Sequence, residues 1–277
     1  MHLFLLGSAA KNGFKFMKIP IYQVDAFSDQ LFKGNPAAVC PLNEWLSDEL
    51  MQNIAQENNL AETAFIVPSG EGYKIRWFTP TVEVDLCGHA TLASAHVVFH
   101  ELGHTSDDVH FLSHRSGPLM VSKREDELVL NFPCDTINEI AVEPVHSAGL
   151  SLTPLAVYKG KTDLLFIYES EADILSLQPD FEALKIHPVR GIIVTAPGEK
   201  VDFVSRFFGP NSGGNEDPVT GSAHTTLMPF WHSVLGKQTM TAMQLSQRTG
   251  FLTCTLKGDR VEIAGKSVLY LRGEILV

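Results

Sequence analysis

The chain has 277 residues, of which 44% are hydrophobic and 19% charged, so it can bury full cores in two domains of ordinary size. Its formal charge of −11 and its lack of any Lys/Arg cluster argue against nucleic acid or an anionic membrane surface as the main partner. An anionic small-molecule substrate would therefore need a local positive field within the site.

The N-terminal residues 1–16 are predicted to be an extension that precedes the fold. Their lysines follow the short apolar run at residues 3–6 instead of preceding it, which does not match a signal peptide. No apolar stretch approaches the length needed to span a bilayer. The four cysteines have no CxxC spacing, which favours neither a zinc ribbon nor a disulfide framework. We expect a reduced, cytoplasmic protein.

Strands predominate among the predicted elements, and each half of the chain contains one long helix of small and apolar residues. In the first half, strands are predicted at 19–27, 37–40, 73–78, 119–122 and 127–130, and helices at 48–58, capped by Ser47, and at 89–102. In the second half, strands are predicted near 164–168, 191–195, 201–207, 250–256, 260–264 and 268–271, and helices at 180–184 and 222–235.

An internal repeat relates the two halves. The segment RWFTP at 76–80 returns as RFFGP at 206–210, and each copy is followed by a loop and a small-residue run, CGHA at 87–90 or TGSA at 220–223. The order of the matched features is preserved, and the two loops differ only by a short insertion. The repeat predicts two similar α+β halves, 17–134 and 135–277, each an open β-barrel wrapped around its long helix. This division leaves open that the C-terminal strand packs against the first half.

Two glycine-led helix starts are candidate anion sites. Gly88 and Gly221 each come where a helix begins, and the unpaired N–H groups and positive dipole end of a helix start attract a carboxylate. The alternative is that these glycines only let the chain turn. The repeat favours the functional reading, because facing halves would direct both helix starts at one substrate.

Glu62 is the candidate acid/base residue. It lies shortly before a strand whose first residues are wholly apolar, so we expect its carboxyl group to be partly desolvated. Desolvation raises a carboxyl pKa and suits the group to exchange protons near neutral pH. The alternative is a solvated loop glutamate or a helix cap.

Four motifs, in this order, resemble those of the PhzF (phenazine biosynthesis-like) family: GNPAAV at 34–39, LAETAF at 60–65, LCGHATLA at 86–93 and EDPVTGSAH at 216–224. The resemblance covers essentially everything from Ile19 onward. It implies a fold like that of diaminopimelate epimerase, with two pseudo-symmetric barrels and the site in the cleft between them.

The same resemblance implies a cofactor-free and metal-free isomerase that moves a proton between carbon atoms of a small cyclic or amino-acid-like carboxylate, such as dihydro-hydroxyanthranilate. It also implies a homodimer, with neither nucleic acid nor a membrane as partner. The catalytic residues carried over are Glu62, His89, Asp217 and Ser222, and the substrate-binding residues are Asn35, Cys87, Gly88, Thr220 and Gly221.

One departure separates this chain from diaminopimelate epimerase, which uses one cysteine from each half. Cys87 is present here, but the matching loop of the second half has no cysteine. Racemisation by two cysteines is therefore unsupported. Cys87 itself reads more readily as a small buried residue than as a reactive thiol.

Two further function classes compete with the isomerase. The segment 100–104 spells HExxH, the zinc-hydrolase motif, but Gly103 falls between its histidines where the helix pattern ends. The histidines His100 and His104 then read as cations at a helix C-terminus. A binding protein that has the cleft but no turnover is the other class, and the joint presence of the four candidate catalytic residues argues against it.

Overall fold

The computed structural model describes residues 17–212 and 214–277, so the predicted extension at 1–16 lies outside the described residues. Within those ranges the chain forms eighteen strands in one continuous mixed sheet, with five helices and one 3₁₀ turn. The predicted α+β class is confirmed. No helix in these two ranges is long and apolar enough to cross a membrane.

The elements of the first half are β1 (Lys18–Ala26), β2 (Asn35–Pro41), α1 (Asp48–Asn58), β3 (Glu62–Ser69), β4 (Gly72–Phe78), β5 (Glu83–Val84), α2 (Gly88–His100), β6 (Asp108–Ser113), β7 (Gly117–Arg124) and β8 (Glu127–Pro133). Those of the second half are β9 (Asn138–Ile140), the 3₁₀ turn (Pro144–Ser147), β10 (Ala156–Lys159), β11 (Asp163–Ile167), α3 (Glu171–Ser176), α4 (Phe181–Leu184), β12 (Gly191–Pro197), β13 (Phe203–Gly209), β14 (Gly214–Asp217), α5 (Ala223–Leu235), β15 (Thr239–Gln244), β16 (Gly250–Lys257), β17 (Arg260–Gly265) and β18 (Ser267–Leu276).

The two halves repeat one pattern of strand pairing. In the first half β2 and β3 are parallel across α1, and β4 and β6 are parallel across α2. In the second half β11 and β12 are parallel across α3 and α4, and β13 and β15 are parallel across α5. The remaining pairs within each half are antiparallel.

Strand pairs also connect the two halves. The C-terminal β18 pairs antiparallel with β1 of the first half, whereas β9 pairs with β10 inside the second half. Strands β8 and β17 pair with each other and join the two parts of the sheet. The proposed division after residue 134 therefore runs through a sheet that is continuous.

Packing around α2 and α5 explains why small residues dominate these helices. Residues 89–99 of α2 are buried on every side, so alanine and serine let the surrounding strands approach the helix closely. In α5, Leu227, Met228 and Trp231 belong to the same hydrophobic core as the apolar residues of α2. One core thus extends through both halves and holds the two helix starts near each other.

The repeat is present at the level of individual contacts. The Nε atom of Arg76 donates to Oε1 of Glu83 over 2.8 Å, and in the second half Nε of Arg206 donates to Oε1 of Glu216 over 2.7 Å. Each guanidinium also lies over the ring of the phenylalanine two residues further along its strand. The two copies of the repeated segment therefore have the same local structure.

The predicted strands and helices are present, but several elements and one boundary were missed. Helix α2 ends at His100, two residues before the predicted end, and Glu101 is its C-cap with φ −112°. Strand β6 was not predicted, since its polar first residues follow a turn-like sequence. Strand β15 was also missed, although Met240, Ala242 and Gln244 alternate as its buried residues.

Candidate active site

The predicted site residues lie at strand ends and helix starts that meet in the cleft between the halves. Asn35 begins β2 and Glu62 begins β3, and because these strands are parallel both residues lie at the same edge of the sheet. His89 is the second residue of α2. Asp217 ends β14, and Ser222 precedes α5. The tertiary structure therefore brings together residues from both halves.

Glu62 and His89 face each other in this cleft. The Oε2 atom of Glu62 is 3.1 Å from Nε2 of His89, and their side chains are 18% and 5% exposed. The two atoms are close enough for an ion pair, but they are not aligned as a hydrogen bond, and neither has another partner among the described residues. The side chain of Glu62 is thus partly desolvated, and the two facing atoms are buried.

Asn35 connects the two halves of the site. Its Nδ2 atom donates to Oδ1 of Asp217 over 2.7 Å and to the carbonyl oxygen of Val219 over 2.9 Å, and it lies 3.2 Å from Nδ1 of His89. Two acceptors around one nitrogen determine the orientation of the amide. The Oδ1 atom of Asn35 consequently points away from these acceptors, and it is buried without a partner in the described chain.

The loop that carries Asp217 is held by Gln244. Its Oε1 accepts from the backbone N–H of Thr220 over 2.8 Å, and its Nε2 donates to the carbonyl oxygen of Asp217 over 2.7 Å. The hydroxyl of Thr220 donates to Oδ2 of Asp217 over 2.5 Å. Both carboxylate oxygens of Asp217 therefore accept hydrogen bonds, an arrangement that stabilises the ionised form.

The two glycine-led helix starts face each other. A Cβ atom added to Gly88 would lie 3.9 Å from the Cα of Gly221, so the two backbones are close neighbours across the cleft. Neither α2 nor α5 has a side-chain cap on its first N–H groups. The N–H groups of residues 223–225 at the start of α5 donate to the carbonyl oxygens of residues 220–222. The positive dipole ends of both helices are nevertheless directed at one small volume.

Ser222 is oriented by an arginine. The Nη1 atom of Arg190 donates to Oγ of Ser222 over 2.9 Å, and its Nε donates to Oδ1 of the buried Asp163 over 2.9 Å. Arg190 also lies over the ring of Phe207, with 5.2 Å between the guanidinium carbon and the ring centroid. Its position is therefore determined on two sides, and it adds a cation beside the start of α5.

Burial shifts the pKa values of this cluster. Burial is the main cause that raises the pKa of the Asp217 carboxyl. Burial, reinforced by Glu62, raises the pKa of the Cys87 thiol to about 11, so Cys87 is protonated at neutral pH. Burial alone would lower the pKa of His89, but the charges of Cys87 and Glu62 outweigh it and raise that pKa.

Glu62, Cys87 and His89 also form a group of metal-ligand type, with their ligand atoms within 4.8 Å of one another. A single ion would need one nitrogen of His89, the thiolate and the carboxylate to converge on one point. The imidazole instead directs Nδ1 at Sγ of Cys87, 3.5 Å away, and Nε2 at Glu62. Its two lone-pair directions diverge, so the ring separates the other two groups, and this arrangement suits proton sharing better than metal binding.

The HExxH segment does not have the geometry of a zinc site. Helix α2 ends at His100, and Gly103 has φ 73°, so the two histidines do not lie one turn apart on an intact helix. The Nε2 atom of His104 is 2.8 Å from the carbonyl oxygen of Asp108. The carboxylate of Glu101 pairs with Arg272 over 2.5 Å. The alternative of a zinc-dependent hydrolase at this segment is therefore not supported.

Arg190 and Gln244 were absent from the predicted site. Arg190 lies in no motif, and its partners Asp163 and Ser222 are far from it in sequence, so no local signal identifies it. Gln244 had a signal, because it is the one polar residue at the buried positions of the alternating strand β15. Recognising that strand would have placed a polar side chain inside the core and marked it for attention.

Comparison with known proteins adds to this geometry. The family model for phenazine biosynthesis-like protein matches residues 24–273. A Pseudomonas aeruginosa protein named an uncharacterized isomerase is 50% identical over 94% of this chain and 99% of its own length. A crystal structure of a PhzF family protein from Enterococcus faecalis covers 94% of this chain and 100% of its own, with 48% identity and a TM-score of 0.92.

A more distant structure shares the fold alone. The hydroxyproline epimerase of Agrobacterium vitis is 11% identical, with a TM-score of 0.61 over 94% of this chain and 93% of its own. The predicted epimerase-like architecture of two pseudo-symmetric halves is therefore confirmed.

Proposed function

Since the chain belongs to the phenazine biosynthesis-like protein family, we propose that it is a cofactor-independent isomerase of the PhzF type, with Glu62 as the general acid/base. The observation that carries the proposal is the Glu62–His89 pair. A carboxylate and an imidazole lie 3.1 Å apart in a mostly buried cleft, and the facing atoms have no hydrogen-bond partner. Such a pair can take a proton from a carbon acid and hold it out of water.

The substrate of this proposal is a small cyclic or amino-acid-like carboxylate. The carboxylate would bind at the N–H groups around Gly88 and Gly221, where two helix starts meet. Substrate N–H or O–H groups would satisfy Oδ1 of Asn35, which has no donor in the described chain. Ser222, positioned by Arg190, would contact the substrate from the second half.

In the proposed reaction Glu62 removes a proton from one carbon and returns it to another. The negative charge that develops on the substrate lies beside the two helix starts and His89. The positive ends of the helix dipoles and the imidazole stabilise that charge. Asn35 contacts both His89 and Asp217, and we expect His89, Asp217 and Ser222 to orient the polar groups of the substrate. The proposal also includes a cytoplasmic location and a homodimer.

The test follows dihydro-hydroxyanthranilate by NMR in heavy water. With the native protein we expect deuterium to enter a ring carbon, with or without a chelator. Glu62→Gln should lower the exchange rate by roughly 10²–10⁴-fold, because an amide cannot accept the proton. Glu57→Gln, which changes an exposed glutamate on α1, is the matched control and should keep the native rate.

Three other outcomes would contradict the proposal in different ways. A deuterium exchange rate in Glu62→Gln equal to that of the native protein would show that Glu62 is not the acid/base residue. Binding of the carboxylate without any exchange would support the binding-protein alternative. Deuterium exchange that stops when a chelator is added would show that the chemistry depends on a metal ion.

A further inference from the structure

Helix α2 carries a second histidine cluster at the end opposite to the candidate active site. His96 and His100 are four residues apart, so they lie on the same face of an intact helix. Their ring centroids are 4.7 Å apart and the rings are tilted by 52°. Two imidazoles at this spacing can direct one nitrogen each at a common point, as the two histidines of a helical metal motif do.

The free nitrogens of this pair are defined by the surrounding contacts. Nδ1 of His96 is 2.8 Å from Oγ of Ser267 on β18, so Nε2 is the nitrogen left for a ligand. That Nε2 has no hydrogen-bond partner in the described chain, and it is accessible to solvent. His100 is exposed and makes no hydrogen bond with any described residue. A metal-binding histidine is commonly oriented by a hydrogen bond at its other ring nitrogen, and the hydroxyl of Ser267 can supply that contact here.

We propose that His96 and His100 form a chelating site for a late first-row divalent cation such as Ni²⁺, Cu²⁺ or Zn²⁺, with water in the remaining positions. Imidazole nitrogen favours these ions over Mg²⁺ and Ca²⁺. The site is independent of the proposed isomerase reaction.

The charges that face the pair are mixed. Glu101 provides one carboxylate near both rings, and Lys123 provides one cation. Burial lowers the pKa of His96 to about 4, and burial together with Lys123 lowers that of His100. Neither nitrogen lone pair is therefore blocked by a proton at neutral pH. The half-buried Lys123 has a long, flexible side chain whose ammonium can turn away from a bound cation.

This site differs from the HExxH segment, although the two share His100. The histidine one turn before His100 lies on the helix, whereas His104 lies beyond its end with Nε2 bound to the carbonyl oxygen of Asp108. The two histidines that lie one helical turn apart in the structure are therefore His96 and His100, not His100 and His104.

The test titrates the full chain, free of any purification tag, with NiCl₂ by calorimetry at pH 7.5. The native protein should bind one equivalent, and His100→Ala should weaken that binding by at least roughly tenfold. Ser267→Ala should also weaken it, because His96 loses the contact that orients its ring. His104→Ala is the matched control and should bind Ni²⁺ as the native chain does. The melting temperature should rise with Ni²⁺ in the native chain but not in His100→Ala.

Three results would overturn the proposal. Native affinity in His100→Ala would show that the ion binds elsewhere. Loss of Ni²⁺ binding in Glu62→Gln would place the ion in the cleft, at the group of Glu62, Cys87 and His89. An absence of binding by the native chain would show that two histidines at this spacing are not sufficient here.

Discussion

Histidines buried in this protein differ in charge because their neighbours differ. His89 faces the carboxylate of Glu62, and its pKa is raised despite complete burial. His224, the second residue of α5, faces no carboxylate among the described residues, and burial lowers its pKa to about 4. Its Nδ1 lies 3.0 Å from the carbonyl oxygen of Thr220, which accepts the N–H hydrogen bond, while its Nε2 is buried without a partner in the described chain. One histidine is suited to carry charge, and the other to remain neutral.

The lowered pKa of the buried His224 predicts that the protein loses stability in acid. Below about pH 6.5 the unfolded chain binds a proton at this residue that the folded chain refuses, so the free energy of unfolding should fall as the pH is lowered from 6.5 to about 4. The loss from this residue can reach about 3 kcal/mol. Urea denaturation at a series of pH values measures it.

The matched variant is His224→Asn, whose amide can still donate to the carbonyl oxygen of Thr220 but does not titrate. Its stability should be lower at pH 7, because the smaller side chain leaves a cavity, and should depend less on pH between 6.5 and 4. His110→Asn, at an exposed position, should keep the native pH dependence. An unchanged pH dependence in His224→Asn would contradict the assignment.

Helix starts in this protein are capped or left open according to their place. Helix α1 lies outside the cleft, and Oγ of Ser47 accepts from the backbone N–H of Leu50 over 3.2 Å. Helices α2 and α5 begin in the cleft, and neither Cys87 nor Ser222 caps its helix with a side chain. The side-chain cap stabilises α1 from within the chain, and the proposed function would use the uncapped starts of α2 and α5 to bind a carboxylate.

Ser47→Ala should lower the free energy of unfolding by about 1 kcal/mol, because one N–H group at the start of α1 loses its acceptor. Ser47→Asp restores an acceptor at the same position and should stay within a few tenths of the native value. The urea midpoints of the two variants and the native chain provide the comparison. Equal stability of the alanine and aspartate variants would show that the cap contributes nothing.

At the scale of the whole molecule, one ion pair ties the halves together beside the site. Nη2 of Arg248, from the second half, donates to Oδ1 of Asp25 over 2.8 Å, and its Nε donates to the carbonyl oxygen of Gly34 over 2.9 Å. The carboxylate of Asp25 is 2% exposed, and its other oxygen accepts from the N–H of Phe32. Arg248 therefore holds the turn that leads into Asn35, the residue through which the halves meet in the cleft.

Arg248→Met should lower the free energy of unfolding by roughly 3–5 kcal/mol, because it leaves the Asp25 carboxylate buried without its counter-charge. The double variant Asp25→Asn with Arg248→Met should recover part of this loss, since no buried charge remains. A double-mutant cycle by urea denaturation measures the coupling. Arg124→Met breaks a pair with Glu262 whose arginine is mostly exposed, and it should cost at most about 1 kcal/mol. A similar loss of unfolding free energy in the two arginine variants would contradict the prediction that the Arg248–Asp25 pair contributes more than an exposed ion pair.

The fold was predictable from the sequence where its signals are local. Alternating apolar residues predicted the strands that contain them, and the Ser47 cap with its acidic first turn predicted α1. Strands β6 and β15 were missed because polar residues begin the first and occupy part of the second. Helix α2 ended earlier than predicted because its apolar pattern continues past the last helical hydrogen bonds.

The sequence by itself determined the repeat, the two glycine-led helix starts and the isolated glutamate before an apolar strand, because each is a pattern of neighbouring residues. Only the tertiary structure decided which of these groups meet. Asn35 contacts Asp217 across 182 positions, and Arg248 contacts Asp25 across 223, through strand pairings that join the two halves. Contacts at such separations depend on how the whole sheet closes around α2 and α5, and no local pattern encodes that closure.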